Sequence, residues 1–209
     1  MADYKKPDYW AVKAQKEGYP ARSVYKLKEM DEKFGLLAPA GRKEFRVLDL
    51  GAAPGSWSLY VLRKGGVQNS GGLFLTAVDL APLSPQYGQS LFDGDKAAFI
   101  QGDMIAGETR TAVLERGPFS LVLSDAAPAT TGNRTVDTLR SLELAETALS
   151  YAENALERGG SLVIKVFQGG DTQELLKKIR GLFASGKSFK PQACRGESFE
   201  TYYLGLGKR

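Results

Sequence analysis

The stretch Val47-Leu-Asp-Leu-Gly-Ala-Ala-Pro-Gly-Ser-Trp57 decides how the 209-residue chain is read. An apolar run enters a loop of small residues, and a helical pattern starts at about Ser56. Gly51 and Gly55 let the backbone turn tightly and let a ligand approach without a Cβ clash. The start of the following helix offers free N–H groups to a carboxylate. Asp79 closes the next apolar run, where an acidic side chain is placed to take both hydroxyls of a ribose. Asp103, in Gln-Gly-Asp after a third run, is a candidate for an adenine amino group, although Gly-Asp is also a common turn pair. A nicotinamide dinucleotide would need G-x-G-x-x-G, and here Ala-Ala-Pro separates the two glycines. No Walker loop is present.

Outward from this loop, runs that are apolar on both faces alternate with helical patterns. The runs are Arg46–Leu50, Leu73–Asp79, Ala97–Gln101, Phe119–Ser124, Ser161–Phe167 and Thr201–Leu206. The helical stretches between them are Ser56–Lys64, Glu108–Arg116, Thr138–Arg158 and Thr172–Ala184. In the third, Leu142, Ala145, Leu149, Ala152 and Leu156 share a stripe, and Gly159–Gly160 is expected to end it. This alternation predicts an α/β fold with a mostly parallel sheet covered by helices on both faces. Lys187–Cys194 and Glu200–Leu206 read as two strands joined by an Arg-Gly-Glu-Ser turn. With no helix between them they are expected to be antiparallel, which brings the sheet to seven strands. Ahead of the first strand, Val24, Leu27, Met30 and Phe34 form an apolar helical face flanked by Lys26 and Lys28.

Apolar residues make up 43% of the chain and charged residues 25%, as in an ordinary globular domain. No apolar run is long enough to span a bilayer. The N-terminus Met1–Trp10 lacks the apolar core of a secretory signal, so a cytoplasmic protein is expected. The one cysteine, Cys194, permits no internal disulfide. With no histidine, acid–base chemistry falls to Lys, Asp, Glu or Tyr, and the commonest zinc ligand is absent. Residues 1–43 hold 10 basic and 6 acidic side chains, 44–157 hold 8 and 14, and 158–209 hold 10 and 4. Basic ends around an acidic middle suggest that the termini converge on a polyanion. Solvated surface charge is the plainer alternative.

Two later residues are out of place for a core. Asp125 ends an apolar strand in Leu-Val-Leu-Ser-Asp-Ala-Ala-Pro. Lys165 sits inside Ser-Leu-Val-Ile-Lys-Val-Phe, where a lysine must reach a carboxylate or lose stability. Adjacent parallel strands would bring both to the carboxyl edge of the sheet, where α/β folds bind ligands.

The chain resembles the FtsJ/RrmJ family of ribosomal RNA large-subunit methyltransferases. The matching segments are Arg22–Lys28, Asp49–Trp57, Ser124–Pro128, Gly160–Gly169, Lys190-Pro191 and Ser198–Tyr202, in the family's order. The resemblance implies a Rossmann-like, S-adenosylmethionine-dependent methyltransferase fold that methylates a ribose 2′-hydroxyl of RNA. It implies a catalytic tetrad of Lys26, Asp125, Lys165 and Glu200, favouring Lys26 over Lys28. Implied cofactor contacts are Gly51, Gly55, Trp57, Asp79, Asp103 and Asp125. The cofactor carries no phosphate and so does not need the missing glycine; the product would be S-adenosylhomocysteine, and no metal is expected. Three features depart from the family pattern. Ser56 replaces a usual glycine, Ala81–Ala98 is longer than typical, and Cys194 stands where serine is common.

Ribose methylation requires in-line alignment and removal of a hydroxyl proton, a role expected of Lys165. Desolvation and the cation Lys26 would lower the Lys165 pKa, while Asp125 and Glu200 would oppose that shift. The expected substrate is a uridine of 23S-type RNA in the 50S particle. A tRNA ribose methyltransferase and a non-catalytic RNA-binding protein are the alternatives. A single domain is expected across 1–209. Residues 1–43 would form a basic segment contributing to the RNA site and 44–209 the cofactor-binding core. A monomer is expected, with no membrane partner. Candidate phosphate contacts are Lys5, Lys6, Lys13, Arg22, Lys28, Lys190 and Arg195.

Overall fold

The computed structural model describes residues 8–38, 43–68, 72–85, 92, 95–169, 172–196 and 198–209. Among them the strands are β1 (Phe45–Leu50), β2 (Leu73–Asp79), β3 (Ala97–Gln101), β4 (Phe119–Ser124), β5 (Leu156–Phe167), β6 (Phe183–Phe189) and β7 (Glu200–Lys208). The helices are α1 (Tyr9–Lys16), α2 (Val24–Phe34), α3 (Ser56–Gln68), α4 (Gly107–Leu114), α5 (Arg134–Ala155) and α6 (Thr172–Leu182). One seven-stranded sheet runs β3-β2-β1-β4-β5-β7-β6. Strands β1 to β5 pair in parallel, and β7 is antiparallel to both β5 and β6. This is the expected α/β, Rossmann-like sheet with a terminal hairpin.

Side chains alternate across the sheet as the strand period requires. Val47, Leu121, Val163, Tyr202 and Leu204 face a core built with Ala14 of α1, Leu27 and Met30 of α2 and Val61 of α3. Leu48, Val122, Ile164, Val166 and Tyr203 face the other core, with Val113 of α4, Leu149 of α5 and Ile179 of α6. Two layers of helices therefore bury both sheet faces. The carboxyl ends of the central strands stay at the rim.

Several boundaries differ from the sequence reading, among them the start of β5, which is Leu156 rather than Ser161. Helix α5 starts at Arg134 rather than Thr138, because the Asn133 side chain accepts from the amides of Thr135 and Val136. It ends at Ala155, ahead of Gly159–Gly160. There the Lys208 ammonium of β7 donates to the carbonyls of Ala152, Glu153 and Leu156, a cap that local sequence cannot show. In the hairpin, the first strand ends at Phe189 rather than Cys194. Residues 190–194 instead leave the ladder and are tied to α2, as described below.

Candidate active site

The cofactor-type loop behaves as its composition suggests. Gly51 has φ +75°, and a Cβ there would lie 2.6 Å from the Ala126 Cα. Any side chain would therefore collide with the segment after β4. Gly55, with φ +109°, follows a cis Ala53–Pro54 peptide bond and leads into α3. The Asp79 carboxylate staples two loops, accepting from the amides of Ala53 and Ala81, both at 2.8 Å. Each of its oxygens keeps a further lone pair for a ligand hydroxyl. Asp103 accepts from the Ile105 amide at 2.9 Å, so its Gly-Asp pair does form the local turn.

These residues border a cavity of about 540 Å³ over the carboxyl ends of β1, β2 and β4. Gly51, Asp79, Asp103 and Asp125 all line it, together with Ala53, Met104, Ile105, Arg140 and Glu143. Gly55 and Trp57 are not among its lining residues. The Trp57 indole is buried and donates to the Ser23 carbonyl at 2.8 Å. It packs against the Tyr202 ring with centroids 5.9 Å apart. Ser56 makes a reciprocal pair of bonds with the Ala21 backbone, at 2.8 and 3.2 Å. Ser56 and Trp57 thus dock the entrance of α2, which carries Lys26, rather than the cavity.

Beside the cavity the structure brings Lys26, Asp125, Lys165 and Glu200 together. The period of the antiparallel pair explains much of this. Lys165 stands opposite Tyr202, and Glu200 opposite Phe167, so all four lie on one sheet face. The Lys165 amine, 7% exposed, lies 3.1 Å from Asp125 Oδ1 and also donates to the Asp125 carbonyl. Tyr202 donates its hydroxyl to Asp125 Oδ1 at 2.7 Å. The Lys26 amine meets Glu200 Oε1 at 2.7 Å. Burial works to raise the Asp125 pKa, but Lys165, Lys26 and the Tyr202 hydroxyl outweigh it and hold the group below the usual carboxylate value. Burial likewise pulls the Lys26 amine down, yet Asp125 and Glu200 keep it above the ordinary lysine value. Burial and the two carboxylates push the Tyr202 hydroxyl well up. Burial and the nearby Glu200 carboxylate push the Cys194 thiol up to about 12.

Tyr202 and Cys194 carry no signal of this role in composition or spacing. Tyr202 could have been found from its strand parity, two residues from Glu200. Among the basic residues expected to face phosphate, Arg22 is already committed. It pairs with Asp8 and donates to the Ala193 carbonyl. Lys13 lies over the rings of Trp10 and Tyr25, and Lys190 donates to the Ser198 carbonyl. Lys5 and Lys6 lie outside the described residues.

The family model described as FtsJ-like methyltransferase matches residues 19–208. A protein of Treponema denticola named ribosomal RNA large subunit methyltransferase E is 53% identical over 203 residues, 97% of this chain and 96% of that one. One of the same name from Oleidesulfovibrio alaskensis is 45% identical, covering 96% and 91% of the two chains. Among solved structures, one described as a ribosomal RNA methyltransferase from Plasmodium falciparum superposes with a TM-score of 0.73 at 25% identity, covering 91% of this chain and 98% of that one. A human methyltransferase-like protein 13 in complex with S-adenosylhomocysteine shares the fold at TM-score 0.62 and 16% identity, over 87% and 82% of the chains. Motif order, sheet topology and overall similarity agree, and the chain belongs to the FtsJ-like methyltransferase family.

Proposed function

We propose that the chain transfers a methyl group from S-adenosylmethionine to a ribose 2′-hydroxyl of large-subunit ribosomal RNA within the assembled particle. The observation that carries this reading is the convergence of Lys26, Asp125, Lys165 and Glu200 beside a cavity that Asp125 also lines. A non-catalytic RNA-binding protein would have no use for a lysine buried among carboxylates, which is costly to keep.

Family membership implies S-adenosylmethionine as cofactor, and the cavity residues fit it. Gly51 packs tightly under Ala126 and lines the cavity floor, Asp79 offers oxygens to a ribose diol, and Asp103 lies farther along the wall. When bound, the cofactor supplies a methyl carbon made electrophilic by its sulfonium. Asp125 orients the Lys165 amine through Oδ1, and Tyr202 orients Asp125 in turn. Lys165 in its neutral form takes the ribose proton at Nζ as the oxygen attacks. Lys26, kept as an ammonium by Asp125 and Glu200, holds the negative charge that grows on that oxygen. No metal is needed for these steps.

The whole chain acts as one catalytic domain. Residues 1–43 supply Lys26 and part of the RNA surface, and 44–209 supply the cofactor core. Its setting is the cytoplasm, as a monomer; among the described residues no helix is long and apolar enough to cross a membrane. The test is transfer of labelled methyl to unmodified large ribosomal subunits, free rRNA and tRNA, followed by mapping of the modified nucleotide. A 2′-O-methyluridine in the subunit RNA is expected. Label on a base, or on tRNA alone, would overturn the assignment. RNA affinity should fall steeply with salt.

A further inference from the structure

Lys26 and Glu200 come from opposite ends of the chain, and Glu200 is the first residue of β7 to enter the ladder. Between the end of β6 at Phe189 and Glu200, residues 190–196 lie outside the ladder. Side chains of the helix that carries Lys26, and of the turn just before it, hold them instead. The Glu29 carboxylate accepts two successive amides, Gln192 at 2.7 Å and Ala193 at 2.8 Å. The Arg22 guanidinium donates to the carbonyl of the same Ala193 at 2.5 Å. Asp8 pairs with Arg22 from behind. Ala193 is fully buried, and its peptide unit is gripped by both its N–H and its C=O. The next residue, Cys194, is buried with its thiol beside the Glu200 carboxylate.

Lys26 and Glu29 are three residues apart on α2, so they share a face of it, and Arg22 stands in the turn that leads into the helix. The contacts therefore close a circuit: Lys26 to Glu200, Glu200 to Cys194, Cys194 through the chain to Ala193, and Ala193 back to Glu29 and Arg22. Lys26 and Glu29 leave one helix a single turn apart, and Arg22 joins them from the turn before it. A carboxylate accepting two backbone amides makes stronger, more directional bonds than a neutral acceptor would. We propose that Glu29 and Arg22 are positioning residues for methyl transfer, clasping the Ala193 peptide so that Glu200 is fixed against the Lys26 amine. This rests on the reading of Lys26 and Glu200 as part of the reacting centre.

The rival is a clasp that only stabilises the fold. Single-turnover methyl transfer to unmodified large ribosomal subunits separates the two, measured with the affinity for S-adenosylmethionine. Glu29→Ala should slow transfer about 10- to 100-fold, the range expected for a misplaced group, with cofactor affinity within about two-fold. In a Glu200→Gln background the same substitution should add less than about three-fold, because its effect runs through Glu200. Glu29→Asp, one methylene short, should fall between, and it serves where Glu29→Ala does not fold. Amide exchange at Gln192 and Ala193, read without RNA, should quicken at least about ten-fold in either variant.

Transfer within two-fold of wild type, or an undiminished loss in the Glu200→Gln background, overturns the positioning role. Unchanged amide exchange overturns the clasp itself. Wild-type protein that methylates no RNA overturns the reacting centre, and the positioning role with it. An active wild type with an insensitive Glu29 overturns the positioning role alone.

Discussion

The rim of the sheet has two halves built on different principles. Over β1, β2 and β4 the cavity is made by short loops, a collision-prone glycine and carboxylates that accept backbone amides. Over β5 and β7 the site is made by long side chains reaching in from four separate segments, with α2 closing it. The first half depends on local chain geometry and the second on tertiary placement. Asp125 belongs to both: it lines the cavity and holds Lys165 and Tyr202. Binding and chemistry should therefore separate by mutation everywhere except at Asp125.

The largest effect that tests this division is Lys165→Ala. Single-turnover transfer should fall on the order of 10³-fold, the scale of a lost general base. Cofactor affinity measured by calorimetry should stay within about two-fold, since Lys165 does not line the cavity. A matching loss of cofactor affinity would erase the boundary between the halves.

The same contrast explains what the sequence could tell. The loop from Asp49 to Trp57, the strand ending in Asp79 and the alternation of β and α segments are contiguous, so period and turn chemistry reveal them. Lys165 was visible as an anomaly, a cation in an apolar strand. The pairing of Lys26 with Glu200 was not, because nothing local marks either residue; it came from resemblance. The Trp57 indole also ties the two halves together, donating to the Ser23 carbonyl ahead of α2 and packing on Tyr202. The early end of α5 was hidden for a related reason, since its cap is a lysine from the last strand. The first hairpin strand stops at Phe189, ahead of Lys190-Pro191, and Glu29 of a distant helix captures the amides of Gln192 and Ala193, a tie that local sequence does not show.

A second test concerns the floor of the cofactor half. Asp49 is fully buried in β1. It accepts the Ser58 hydroxyl at 2.7 Å on one oxygen and, among the described residues, has no hydrogen-bond partner on the other. Burial first, then the nearby Asp125 and Asp79, push its pKa up to about 7 against the Ser58 bond. The folded state therefore keeps a proton that the unfolded chain, near 3.8, gives up. Between these values stability should fall as pH rises, and it should level off above about 7. Asp49→Asn removes that slope. In urea titrations at pH 4.5, 6 and 8, its advantage over wild type should grow through the window to on the order of a few kcal/mol. Parallel stability curves would show that the buried carboxyl stays ionised.

Asp79→Ala probes the same half from above. It removes the expected diol contacts together with the amide staples to Ala53 and Ala81. Cofactor affinity should drop about 10- to 100-fold, or about 1.4 to 2.7 kcal/mol. The single-turnover rate at saturating cofactor should change less than about three-fold. An unchanged dissociation constant would remove Asp79 from the binding site.

The smallest effect falls where the halves meet. Tyr202→Phe deletes one hydroxyl, the donor to Asp125 Oδ1, and leaves the ring packed against Trp57. Asp125 keeps Lys165 and so remains an anion, but it loses one of the two groups that fix its rotamer on the catalytic side. A single hydrogen bond to a charged group suggests a rate loss of about 5- to 30-fold, with Lys165 less well aimed. If the loss appears in the rate alone, Asp125 is held for chemistry from the β7 side and for binding from the loop side, and the two functions of one carboxylate are mechanically independent. If cofactor affinity falls by the same factor, the Asp125 rotamer is shared, and the rim works as one unit whose two halves differ only in how the chain builds them.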